Sequence, residues 1–190
     1  MSHPLVLALY PDAERAAAGV AAVRALGVSA EQLSVVARNH EEEGEIAERP
    51  GATPGADIED SRLAARLGEL GGQVLAAIAL VLPGIGPIVA AGPLSAGMAE
   101  AAGHVAGDLS AILGNAGVSA ERAERLEREV EAGAVLIGAH VVGPDRAGNA
   151  DARGGIGGER AVRVTAICQA LEQHGARDVT VAEWKDWRKD

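Results

Sequence analysis

The densest group of potential metal ligands in the chain runs from His40 through Glu41, Glu42, Glu43 and Glu45. Carboxylates in this number suit a hard cation such as calcium or magnesium. Consecutive glutamates around a glycine are more commonly solvated charge, and the stretch reads as that, so no metal is assigned to it. A second candidate is "GGIGGER", residues 154–160, whose backbone amides could cradle a phosphate ahead of a helix. It does not match GxGxxG. Counting from Gly155 and Gly157, the third glycine falls where Arg160 stands, and there is no P-loop lysine. It reads as a linker. Cys168, the single cysteine, sits among Val164, Ile167 and Leu171 and reads as core packing rather than a nucleophile. His104 lies in an apolar stretch with no second histidine at helical spacing, and His140 lies on an expected strand. His174 stands beside a helix C-terminus, where positive charge is favoured. No catalytic residue, cofactor or metal ligand is assigned.

The composition narrows the classes further. The chain has 190 residues, enough for one medium domain or one domain with a large insertion. It has no Phe, one Tyr and two Trp, so the core must be built from Ala, Val, Leu and Ile. The formal charge of -10, with no Lys/Arg cluster except near the C-terminus, argues against a nucleic-acid partner. One cysteine excludes an intrachain disulfide. The opening "MSHPLVLALYPDAE" lacks the basic region of a signal peptide, so a cytoplasmic protein is expected.

The elements that must position any site follow from periodicity and punctuation. Residues 4–10 and 31–38 read as strands, joined by a helix that Pro11 and Asp12 open and Gly27 closes. Residues 39–60 form an acidic loop rich in Gly and Pro. From Ser61 a helical pattern (Leu63, Leu67, Leu70, Val74, Ala77, Leu80) runs to Pro83, and a second helical segment runs from Pro87 towards Asn115. A third helix spans 117–133, with Ser119 as N-cap. Residues 134–142 read as a strand, 143–158 as a flexible loop, 159–175 as a helix ended by Gly175, and 176–184 as a final strand. The order predicts an α+β fold. Its frame is a ferredoxin-like β-α-β…β-α-β sheet from residues 1–38 and 134–190, with a helical insertion over 61–133 between the second and third strands.

No charged residue occurs between Glu69 and Glu100. Pro83, Pro87 and Pro93 divide this run, and the apolar helix before Pro83 is only about 12 residues, against the roughly 20 that a membrane span requires. "PGIGP" (Pro83, Gly84, Ile85, Gly86, Pro87) is expected to be the tip of a helical hairpin. In its second arm Ser95, Ala99, Gly103, Gly107 and Ala111 recur every fourth residue, a ladder that would let another helix approach closely. The partner would be the first arm or a second subunit. A homo-oligomer is expected, with a membrane contact as the alternative. Trp184 and Trp187 in "EWKDWRKD" would share a helical face and suit a membrane interface, but a tail packed on its own domain or on a partner is the preferred reading.

The strings "LYPDAERAAAGVAAVRALG", "LPGIGPIVAAGPLSAG", "GVSAERAERLEREVEAGAVLIGAHV" and "ALEQHGARDV" together resemble the general-stress-protein or heat-induced-stress-protein domain of bacteria. The resemblance covers nearly all of the chain except 39–60 and 143–158. It implies a stress-associated role without established chemistry, and it carries over no catalytic residue. The expectation is a non-enzymatic protein that self-associates through its glycine-rich hairpin. The alternatives are a peripheral or hairpin-inserted membrane protein, and a small-ligand sensor or enzyme built on the ferredoxin-like sheet.

Overall fold

The computed structural model describes residues 2–38, 77–82, 86–94, 109–142 and 155–185. These form an α+β protein around a six-stranded antiparallel sheet. The strands are β1 (Ser2–Tyr10), β2 (Leu33–Arg38), β3 (Ala77–Leu82), β4 (Gly86–Ala91), β5 (Val135–His140) and β6 (Asp178–Lys185). Across the sheet they lie in the order β3-β4-β2-β5-β1-β6. The helices are α1 (Ala13–Ala25), α2 (Leu109–Asn115), α3 (Ala120–Glu131) and α4 (Gly155–Gln173).

Alternation along the strands divides the core into two layers. Leu5, Leu7 and Leu9 of β1 face the same way as Val36 and Leu136 and pack with Leu113 of α2 and Leu126 and Val130 of α3. Val6, Ala8 and Tyr10 face the opposite way, with Val35 and Ile137, and pack on Val20 and Val23 of α1 and Ile167 and Leu171 of α4. Helices therefore cover both faces. This is why β1 reads as an unbroken apolar run rather than an alternating one. Each leucine buried in this way stabilises the fold by about 1.5–3 kcal/mol relative to an exposed one.

The local signals act through identifiable bonds. Asp12 caps α1, its Oδ1 accepting from the Arg15 amide at 2.8 Å. Ser119 stands at the N-cap of α3 but makes no side-chain capping bond. Each of the four helices leaves through a glycine of positive φ: Gly27, Gly117, Gly133 and Gly175. After α1 the Gly27 amide donates to Arg24 O at 2.9 Å and the Val28 amide to Val23 O at 3.3 Å, the pattern that satisfies the last carbonyls of a helix. Within one layer, Glu127 Oε1 of α3 accepts from the Leu109 amide that opens α2 at 3.1 Å. Arg122 and Arg125 of α3 both pair with Asp178 at the start of β6.

The central apolar run departs from expectation. Residues 77–82 and 86–91 are not the facing ends of two helices; they are strands β3 and β4, paired from Ala77↔Ala91 to Leu82↔Gly86. β3 and β4 run antiparallel, and Pro83, Gly84 and Ile85 of the expected tip lie outside the described residues. The physical reason is composition. Ile78, Val81, Ile88 and Val89 are β-branched and favour an extended backbone, whereas Ala and Gly gain little area in a helix. Pro87 is tolerated because β2 as described ends at Arg38, opposite Ile88, so Pro87 lies beyond the last β2 partner of β4. Of the expected small-residue ladder, Ser95, Ala99, Gly103 and Gly107 lie outside the described residues, and Ala111 is an exposed residue of α2. The expected helix over 61–76 and the 39–60 loop also lie outside. The "GGIGGER" stretch is no linker from Gly155 onwards, because α4 begins there. Trp184 belongs to β6 rather than to a helical tail.

Candidate functional site

Most polar side chains on the described sheet point away from the core; Ser34 and His140 are the buried polar residues among those described. Both project from the face covered by α2 and α3. Ser34 has the parity of Val36 on β2, and His140 that of Leu136 on β5. His3 shares the parity of Leu5 on β1, and Trp184 that of Ala182 on β6. The sheet order sets these strands side by side as β2-β5-β1-β6, so one residue from each meets at the same end of the sheet. His3 lies opposite Trp184, and His140 lies opposite Leu5, two residues along from His3.

The contacts form a line. The Leu94 amide donates to Ser34 Oγ at 3.0 Å. Ser34 Oγ is 3.4 Å from His140 Nε2, and His140 Nδ1 is 3.0 Å from His3 Nε2. One set of proton positions satisfies every group: Ser34 donates to His140 Nε2, and His140 Nδ1–H donates to His3 Nε2. Trp184 closes the site with its ring edge-on to His140, centroids 4.9 Å apart, and its centroid 6.5 Å from that of His3. Gly138 makes room for this arrangement. It lies opposite Ser34, and a Cβ there would come within 3.1 Å of Leu94 Cδ1 and 3.4 Å of Ser34 Cβ. Gly92, at φ +83°, swings the chain out of β4 so that Leu94 returns to Ser34; a side chain at Gly92 would overlap the Leu33 backbone.

Electrostatics follow from burial. His140 is 3% exposed, while His3 is only half-buried. Loss of solvent, with the nearby His3 charge second, pushes His140 from 6.5 down to about 4. His140 is therefore neutral at pH 7. The order serine–histidine–histidine is that of a nucleophile, a base and the group that orients the base. Here, however, Ser34 is 0% exposed and its oxygen is engaged by the Leu94 amide, so the line reads as an internal network rather than a presented nucleophile.

Of the residues singled out in the sequence, His140 and Trp184 come together, and Cys168 and His174 lie elsewhere. Cys168 packs at the edge of the opposite layer, and burial followed by the Glu172 charge raises its thiol pKa, which disfavours the nucleophilic thiolate. His174 Nδ1 lies 2.7 Å from Ala170 O at the end of α4. His40 and its glutamates, His104 and Trp187 lie outside the described residues. Among the described residues there is no group of three or more His, Cys, Asp or Glu able to hold a metal ion, and no helix is long and apolar enough to cross a membrane. Sequence reasoning left out His3 and Ser34. The available signal was parity: His3 and His140 each share a face with the buried leucines of their own strand. No family model, curated protein or solved structure matches the chain.

Proposed function

We propose that this chain is a non-enzymatic, stress-associated protein that self-associates through its uncharged central segment, now read as the β3–β4 hairpin. The observation that carries this reading is the contrast between the sheet's two outer strands. β6 carries Asp178, Glu183 and Lys185, the kind of charges that discourage edge pairing. β3, outermost at the other side among the described residues, has the sequence AIALVL and no charge. An edge of that kind pairs readily with another strand, and a second copy of the same edge is the partner we assign. The stress-associated role rests on the sequence resemblance alone. The proposed setting is the cytoplasm.

The frame is read as ferredoxin-like. The units β1-α1-β2 and β5-α4-β6 interleave as β2-β5-β1-β6, and the residues between β2 and β5 form an insertion that adds β3 and β4 to one side. Such a frame serves many functions, so it supports the architecture and not the activity.

The test is the mass of the purified protein by light scattering, beside a Leu80→Lys variant. The expected result is a mass of two or more subunits for the unaltered chain and one subunit for the variant, with unchanged circular dichroism. A single-subunit mass for the unaltered chain across the accessible concentration range would rule out self-association. Flotation of the unaltered chain with liposomes, lost in Leu80→Lys, would transfer the edge to the lipid reading.

A further inference from the structure

We propose that His3 and His140 form an acid-released clasp, which holds the amino end of β1 and the carboxyl end of β6 onto β5 at neutral pH and lets them detach together on acidification. The geometry suits such a device. The two rings meet through one nitrogen each, at 3.0 Å, so a single proton satisfies both. A second proton would place two cations against each other in a site where His140 is 3% exposed. His3, half-buried above it, gives protons a route to the pair. His140 itself is met by Ser34 of β2, Leu5 of β1, Trp184 of β6 and the His3 ring. The charge that acts on it is that of His3, which disfavours a second proton. A charged His140 reaches water only if the strand ends above it separate.

The backbone indicates where the opening would occur. Past the β1–β5 ladder, the Val141 amide still donates to Pro4 O at 2.8 Å, and His3 remains paired with Trp184. Beyond these contacts the described β1 ends at Ser2 and β6 at Lys185, so the clasp sits one or two residues from both strand ends. Neighbouring ladder bonds deeper in the sheet, from Leu7 to Tyr10 on β1, lie under α2 and α3 and need not break. The proposal does not depend on self-association.

The experiment follows Trp184 fluorescence from pH 8 to pH 4 in a Trp187→Phe background, beside far-ultraviolet circular dichroism and amide hydrogen exchange. The expected result is a fluorescence step above the pH at which dichroism falls. Exchange at Ser2–Leu5 and Ala182–Lys185, corrected for intrinsic pH dependence, should quicken about tenfold per pH unit, while β2 stays protected. His140→Asn should abolish the step. His3→Gln removes the neighbouring charge and should move the step to higher pH; should His140→Asn fail to fold, this variant decides alone. A step that coincides with global unfolding, or that His3→Gln leaves in place, would overturn the clasp.

Discussion

Each face of the sheet holds a large buried titratable side chain, Tyr10 on one and His140 on the other, and the two respond to the same physical force in opposite directions. On the face covered by α1 and α4, Tyr10 donates its hydroxyl to Leu171 O at 3.1 Å. Burial pushes its pKa up to about 12, so it stays protonated at any pH the protein meets. On the other face, burial pushes His140 down to about 4. Loss of solvent favours the neutral form in both cases. For an acid such as phenol the neutral form is the one present at pH 7 without any shift. For imidazole the shift moves the charging step through the mildly acidic range. One face is thus insensitive to pH and the other is sensitive to it, although the cause is shared.

The largest expected effect breaks this comparison at His140. Its folded value lies below its unfolded value of 6.5, so the neutral ring contributes stability that is fully present above about pH 6.5 and is lost as pH falls towards 4. At about 1.4 kcal/mol per unit, the loss over that window is on the order of 3 kcal/mol. Urea unfolding at pH 7, 6, 5 and 4 measures it, and the His140→Asn variant should show a flatter profile over this range. Equal slopes for the two proteins would mean that His140 does not titrate as described.

A smaller effect, and one that should not depend on pH, is expected on the Tyr10 face. Gly19 of α1 stands against the phenol ring, where a Cβ would overlap the hydroxyl. Gly19→Ala should displace Tyr10 and cost about 1–3 kcal/mol, as overpacking of a filled core does. Tyr10→Phe is the milder control at about 1 kcal/mol, because Leu171 O keeps its bond from the Ala176 amide. Both losses should be the same at pH 7 and pH 5; a loss that grew on acidification would merge the two faces into one behaviour.

The smallest effect sharpens the acid comparison from outside the core. Burial alone would raise the pKa of Asp178, but the hydrogen bonds and charges of Arg122 and Arg125 outweigh it and hold the carboxyl below its usual range. Its contribution is present above its ordinary value near 3.8 and is lost as pH falls further. Both arginines are more than a third exposed, so Asp178→Asn should cost under about 1 kcal/mol at pH 7 and fade with added salt. Its acid loss begins where that of His140 is nearly complete, so a two-step acid profile would distinguish the two groups.

Much of the frame was legible because its signals are local. Asp12 and Gly27 bracket α1 as expected, Gly175 ends α4, and strands 33–38 and 135–140 lie within the predicted limits. The hairpin was not legible, because an uncharged run has no polar face from which to read a period of two or of 3.6. In that situation the β-branched residues and the closely spaced prolines were the better guide. The histidine pair was not legible for a different reason. His3 and His140 are 137 positions apart, and which strands become neighbours is a property of the whole sheet rather than of either segment.

The sheet order also has a consequence for synthesis. β1 is made first, yet both of its neighbours, β5 and β6, are made last. At ribosomal rates of about 5–20 residues per second, β1 waits on the order of ten seconds for its first partner strand. During that interval the sequence from Leu5 to Tyr10, all of it buried in the finished protein, has no ladder to join. Its companion α1 can form early, and Val20 and Val23, which lie against the β1 layer in the final core, are the nearest apolar cover. A chain wired in this way has high contact order and folds late, so the nascent protein depends on the α1–β1 unit to keep its own most apolar strand from other chains until the C-terminal third emerges.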